Sequence, residues 1–436
     1  MTPDDKEKHP NSKIRGITGL SIVVANMIGT GVFTTLGFQL EKLHDTAAVL
    51  TLWVFGGVLA LAGALSYAEV GTRIRKSGGE YTFLSRLYHP VVGYLSGWIS
   101  LTVGFAAPVA LAAIAAIDYF PLPVPCPRVL AIALLAVVTA LHCRNLKVSA
   151  RFQNLFTAFK IALVAAILGV GLFIPSSGGS PVRFGPDYLP EIASTAFAVC
   201  LIYVSYAYSG WNAAAYITEE FRNPARALPV ALIGGTLLVT VLYTLLQYVF
   251  LKHVPATELA GHLNVGTIVM ERVVGAKAVT LFSGAITLLL LSGISAMVWI
   301  GSRVTASIAA EHGLWRFLRQ KREGVPVKAL VFQGMISALL IATGTFEQIM
   351  VYCGILLSVS SLLVVGGVFI VRRGEREAGT FRSPLFPLFQ VIFIAASLWM
   401  ITFAVINETR ETLLGLLNVA LGLITYKISK LKHETG

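Results

Sequence analysis

Gly19-Leu20-Ser21-Ile22-Val23-Val24-Ala25-Asn26-Met27-Ile28-Gly29-Thr30-Gly31-Val32-Phe33 is apolar enough to lie in a bilayer, yet two glycines around a threonine interrupt it near the middle. Glycine costs about 1 kcal/mol relative to alanine inside a helix. Backbone opened at that depth is tolerated only where something polar meets its freed groups. Tyr203-Val204-Ser205-Tyr206-Ala207-Tyr208-Ser209-Gly210-Trp211-Asn212-Ala213 repeats the pattern. A helix broken in mid-membrane begins its second half with unpaired amides and a positive dipole end, which suit a carboxylate. The carbonyls that end the first half suit an ammonium group, and Thr30 and Ser209 add hydroxyls. One such pair of breaks can hold both ends of an amino acid. For either break alone, close helix packing through Gly29 and Gly31 explains the glycines equally well.

Working outward, the 436 residues are 56% hydrophobic and 13% charged, against about 25% charged in ordinary soluble domains. The chain is therefore an all-α membrane protein. Apolar runs predict twelve spans, at 16–40, 47–70, 91–117, 129–143, 152–174, 192–217, 229–251, 278–302, 328–343, 347–371, 384–406 and 411–427. An even count places both termini on one face. With the loops alternating, twenty-six of the 34 Lys and Arg fall on that face and seven on the other, with Lys160 inside a span. The crowded face is cytoplasmic, which puts residues 1–15 and the tail 428–436 in the cytoplasm and the chain in a cell inner (plasma) membrane. The same distribution accounts for the net charge of +12 without nucleic acid. Residues 1–15 lack a signal-peptide core.

The breaks fall in spans 1 and 6, the first members of two five-span halves, 16–174 and 192–371. Matched breaks in corresponding positions point to an inverted-repeat transporter, with spans 11 and 12 (384–427) as additions. Lys160 is the one basic residue well inside a span, where a charge costs roughly 2.5–3.5 kcal/mol. No carboxylate is placed deep in any span. Its expected partners are therefore carbonyls of the broken first span, or hydroxyls such as Ser292 and Ser295; the alternative is a lysine that snorkels to the interface. Tyr206, Tyr208 and Trp211 flank the second break and are placed to cover an apolar side chain, although aromatics in spans commonly just pack. Lys76-Ser77-Gly78-Gly79-Glu80-Tyr81-Thr82-Phe83-Leu84 reads either as a short interfacial helix that moves as an inner gate opens or as an ordinary loop.

These residues resemble the amino acid–polyamine–organocation transporter superfamily, and within it the bacterial relatives of the L-amino acid transporters. The resemblance covers nearly the whole chain. It rests on Gly29-Thr30-Gly31, on Ser77-Gly78-Gly79-Glu80-Tyr81, on Ala207-Tyr208-Ser209-Gly210-Trp211-Asn212 leading to Thr218-Glu219-Glu220 and Asn223-Pro224, and on Gln153 to Lys160. It implies a LeuT-like fold of five plus five inverted helices with helices 1 and 6 discontinuous. It also implies that Gly29, Thr30 and Gly31 bind the substrate carboxylate. Carbonyls of Ala25, Asn26 and Met27, with Tyr206, Ser209 and the adjoining Tyr208 and Gly210, would receive the ammonium or close over the site. Tyr206 stands where many relatives have a gating phenylalanine, and Lys160 where sodium-coupled relatives hold a cation. Lys160, Ser292, Ser295, Tyr206 and Trp211 are thus the expected coupling and gating residues. Cys126 lies in the loop where animal relatives carry a cysteine joined to a heavy chain, but the short termini look prokaryotic, so no heavy-chain partner is expected.

Among function classes, an enzyme is disfavoured: there is no His-Glu-x-x-His, Gly-x-Ser-x-Gly or phosphate-binding glycine loop, and neither metal nor cofactor is expected. A membrane amino-acid sensor would share the site but is expected to carry a long cytoplasmic extension. A cationic substrate would call for a carboxylate deep in the pocket and an acidic one for a second buried cation, so neutral L-amino acids fit best. The expected function is secondary transport by alternating access, as exchange if Lys160 stays charged and as proton symport if it titrates.

Overall fold

The computed structural model describes residues 14–144, 150–176, 178–319, 325–374 and 379–434. The first span is two helices, α1 (Gly16–Met27) and α2 (Gly31–Leu40). Their axes differ by 42°. Next come α3 (Thr46–Ile74), the short α4 (Gly79–Leu87) and α5 (Pro90–Asp118). They are followed by α6 (Pro127–Cys143) and α7 (Ala150–Phe173). Then come α8 (Thr195–Tyr208), α9 (Pro224–His253), α10 (Ala276–Glu311), α11 (Val327–Thr343) and α12 (Phe346–Val371). The last two are α13 (Leu388–Asn407) and α14 (Thr409–Glu434).

Local chemistry sets the ends of these helices. The Asp45 side chain caps α3 by accepting from the Ala48 amide, and Ser194 does the same for α8 through Phe197. Thr345 and Gln348 form a reciprocal capping box on α12. Proline opens α5, α6 and α9, where its missing N–H costs nothing. Pro229 inside α9 is followed by a π-helical turn at Val230–Gly234, the adjustment expected where a helix loses a donor.

Among the described residues, eight helices are long and apolar enough to cross a membrane, or nine when α1 and α2 count as one broken span. Each of the twelve expected stretches carries helix, but α6 and α11 have 17 residues each and α8 has 14. Two stretches differ from a simple helix over their expected bounds. The helix of the eighth continues beyond 302: α10 runs 36 residues to Glu311, about 54 Å at 1.5 Å per residue. That exceeds an apolar core of about 30 Å, so the helix continues past the membrane, since a single Arg303 does not stop it. The sixth stretch does not resume as α-helix after its break. Gly210 has φ +98°, and residues 213–220 form a 3₁₀ segment with a non-helical Ile217.

Burial divides the helices into centre and rim. Of the most apolar window in α5, 78% is buried, against 22% in α14, so α5 is central and α14 presents its leucines to lipid. Glycines let backbones meet at the core: a Cβ on Gly235 of α9 would sit 2.8 Å from Val23 of α1. At the end of the bundle near the N-terminus, the Arg372 guanidinium grips Glu69 with two bonds of 2.7 Å, and Ser383 N–H adds a third to the same carboxylate. This ties α3, α12 and the approach to α13 together.

Candidate functional site

The break in the first span is made at Ile28, whose ψ of 96° leaves the helical region. Two carbonyls released there find protein donors. Met27 O accepts from the Tyr243 hydroxyl at 2.5 Å, and Ala25 O from the Lys160 ammonium at 3.3 Å. A carbonyl has two lone pairs, so each retains capacity. On the far side of the break, the first turn of α2 has amides without intrahelical acceptors. The two glycines differ in their surroundings. A Cβ on Gly31 would lie 2.4 Å from Ala207 Cα, so Gly31 is where the first span crosses α8. A Cβ on Gly29 would meet nothing nearer than Met27 O at 3.8 Å. Packing accounts for Gly31 and leaves Gly29 unexplained.

The second break faces the first. Ser209 ends α8 with a ψ of 147°. A Cβ on Gly210 would lie 3.0 Å from the Asn26 carbonyl carbon and oxygen, so the two interrupted backbones touch. The Thr30 and Tyr206 hydroxyls are 2.8 Å apart and hydrogen-bonded, joining the breaks through side chains as well.

Between them lies a cavity of about 110 Å³. Ten of the residues singled out in the sequence line it: Ala25, Asn26, Met27, Gly29, Thr30, Gly31, Lys160, Tyr206, Ser209 and Ser292. Lys160 is 7% exposed, which places it in the site instead of snorkelling to the interface. Four others lie elsewhere. The Tyr208 hydroxyl bonds to Trp53 O at 3.0 Å and its ring packs on Tyr243. Trp211 stands edge-on to Tyr67, 4.7 Å between centroids. Gly210 serves the backbone contact just described. Ser295 pairs with His142 Nε2 at 2.9 Å instead of with Lys160.

Ile28 and Ala207, from the two breaks themselves, also line the cavity, and the remaining lining was not anticipated. Phe156 and Thr157 come from α7, Pro108 and Ala112 from α5, and Leu289, Leu290, Gly293, Ala296, Met297 and Ile300 from α10. The signal was present for two of these helices: Thr157 is one helical turn from Lys160, and Gly293 and Ala296 share a face with Ser292. Pro108 and Ala112 carried none. The site thus combines hydroxyls, backbone groups and one cation with an aliphatic wall. None of its lining residues is a carboxylate. Such a space can hold a small zwitterion by its charged ends while its side chain meets apolar surface.

An amino acid permease family model matches residues 16–425. The chain is 29% identical over 424 residues to the human b(0,+)-type amino acid transporter 1, covering 94% of this chain and 86% of that one. To the rabbit protein of that name it is 30% identical over 373 residues, 83% and 76% of the two chains. To the human large neutral amino acids transporter small subunit 2 it is 26% identical over 427 residues, 94% and 79%. Since that last name includes the words "small subunit", the expectation that this chain works without a heavy-chain partner finds no support. The apolar helices, the paired breaks and these matches converge: the chain is a multi-pass membrane transporter, not an enzyme, and belongs to the amino acid permease family of the amino acid–polyamine–organocation superfamily.

Proposed function

We propose that the protein carries neutral L-amino acids across a cell inner (plasma) membrane by alternating access, as an exchanger. Its twelve helical stretches are read as twelve spans, with 16–174 and 192–371 as inverted repeats and both termini cytoplasmic. The observation that carries the substrate class is the lining of the cavity between the breaks, which combines hydroxyls and one buried cation with aliphatic residues and includes no carboxylate. In this reading the amides at Gly29, Thr30 and Gly31 hold the carboxylate. The free lone pairs of the Ala25, Asn26 and Met27 carbonyls, with Ser209 and Tyr206, hold the ammonium.

The cavity lining follows α10 from Leu289 to Ile300, toward the end of that helix where α1 and α7 also begin. On the opposite side Phe38 stacks on Phe346 at 5.9 Å and meets Tyr203 edge-on at 6.5 Å. Lys42 pairs with Glu347 at 3.3 Å there. In this reading these pairs close the site toward the outside, and substrate approaches it from the cytoplasm. Lys160, bonded to the Ala25 carbonyl, acts as a fixed cation that holds the first half-helix. Its neutral partner also favours a second reading, proton-coupled symport, in which Lys160 carries the proton.

Uptake of labelled neutral amino acids into proteoliposomes separates these readings. Uptake that requires amino acid inside the vesicle supports exchange. Uptake into empty vesicles driven by an imposed proton gradient replaces exchange with symport. Stronger competition by arginine or putrescine than by alanine, serine or leucine refutes the substrate class.

A further inference from the structure

Two stretches far apart in sequence, 77–80 and 212–219, are fastened to one another. Gly78 N–H donates to Tyr216 O at 3.1 Å. Ser77 N–H donates to the Glu219 carboxylate at 3.1 Å, and Glu219 N–H returns a bond to Ser77 Oγ at 3.0 Å. Gly79, at φ +55°, lies so close to Tyr216 that a Cβ would come within 2.7 Å of its ring. At the centre is Glu80, a carboxylate only 3% exposed. It accepts from Tyr67 at 2.6 Å and from Asn212 Nδ2 at 2.9 Å, both on Oε1, and from the Tyr216 hydroxyl at 3.4 Å on Oε2. Burial holds the Glu80 carboxyl above its ordinary range, and these donors offset only part of that rise. Hydrogen bonds to a buried carboxylate are the strong kind, and they come from α3 and from the segment after the second break.

The next residue of α4 faces the other way. The Tyr81 hydroxyl donates to the Glu311 carboxylate at the end of α10 and lies 3.3 Å from His312 Nε2. Its ring sits on Gly97 of α5, where a Cβ would be 2.9 Å away. A continuous path of bonded groups therefore leads from Tyr206 and Ser209, through Asn212 and Tyr216 to Glu80, and through Tyr81 to α10. That helix carries Ser292, Gly293, Ala296, Met297 and Ile300 into the cavity.

We propose that Glu80 is a positioning residue that locks α4 to the segment following the sixth-span break, so that substrate held at Tyr206 and Ser209 sets the position of the inner end of α10. This inference rests on the reading of the cavity as the amino acid site. Glu80 does not line the cavity, so it acts on the movement that follows binding and not on binding itself.

The test uses the full-length protein, with tritiated leucine as the probe, binding measured in detergent and exchange measured in proteoliposomes. Glu80→Ala is expected to lower the exchange rate by about tenfold or more while leaving the leucine Kd within about threefold of wild type. Glu80→Gln keeps an oxygen that can accept from both Tyr67 and Asn212, and is expected to restore most of the rate. Tyr81→Phe leaves the Glu80 cluster intact and cuts the bond to Glu311. It should show the same split between rate and Kd, which keeps the inference testable should Glu80→Ala fold poorly. Wild-type exchange rates in both Glu80→Ala and Tyr81→Phe overturn the inference, as does a parallel loss of Kd and rate in all three variants. If the wild-type protein neither binds nor exchanges leucine, the reading of the cavity falls with it. If the wild type exchanges leucine and the variants do so equally well, only the role of Glu80 falls.

Discussion

Gly29 and Gly31 stand two residues apart in one motif, and the structure gives them opposite tasks that a methyl group can separate. In Gly31→Ala the new Cβ would be 2.4 Å from Ala207 Cα and 2.7 Å from Ala207 Cβ. Because the obstacle is the backbone of α8, no side chain can rotate away and the two helices must part. Overpacking of this kind costs about 1–3 kcal/mol. The smaller unfolded-state entropy of alanine returns roughly 0.4–1 kcal/mol, leaving a net loss of up to about 2.6 kcal/mol. In Gly29→Ala the methyl meets nothing within 3.8 Å, and φ there is not in the left-handed region, so stability should stay level or rise slightly. Gly29 lines the cavity, so the added methyl takes space at the site, where loss of about 1.4 kcal/mol of binding is a tenfold weaker Kd. Melting of the two purified variants in detergent, beside leucine binding, reads both quantities. The expected result is a lowered melting temperature for Gly31→Ala alone and a weakened Kd for Gly29→Ala at wild-type stability. If Gly29→Ala melts as low as Gly31→Ala, both glycines serve packing. If it binds leucine like wild type, the carboxylate site is not at this break.

Thr30→Val removes the bond to Tyr206 with little change of shape and should weaken leucine binding by about 0.5–1.5 kcal/mol. Tyr206→Phe should cost a similar amount, and the double variant no more than either alone, because both remove one interaction. Lys160→Ala, which frees Ala25 O, should slow exchange by about tenfold while changing Kd less than about threefold; an unchanged rate removes its mechanistic role. Arg372→Met leaves the Glu69 carboxylate buried without its cation and should cost about 3–5 kcal/mol, read as a large drop in melting temperature. Arg372→Lys should recover only part of this, since an ammonium cannot reproduce the two-bond fork.

Much of the helical layout was legible because lipid forces each span to announce itself as a long apolar run. The start of α3 at Thr46 and of α12 at Phe346 each lie one residue from the predicted boundary. The end of α10 was not legible, since nothing in composition separates a helix leaving the membrane from a loop. The site was readable wherever a residue broke a local rule: glycines in a span, a lysine in apolar surroundings, hydroxyls beside a break. It was not readable for Pro108, Ala112, Leu289 or Met297, which look like any other span residues and become lining only because α5 and α10 happen to face the breaks.

By itself, then, the sequence determined that the chain lives in a bilayer, where its apolar helical stretches lie and which two are interrupted, because each of these follows from the local cost of exposing backbone or charge to hydrocarbon. Which of two neighbouring glycines is for packing, whether Lys160 turns inward, and that Ser295 answers His142 and not Lys160 were decided only by the tertiary structure. So was the meeting of Ser77-Gly78-Gly79-Glu80 with Asn212 and Tyr216. The reason is physical: these are contacts between residues more than a hundred positions apart, fixed by how helices rotate and cross, and periodicity along a chain carries no record of what stands opposite.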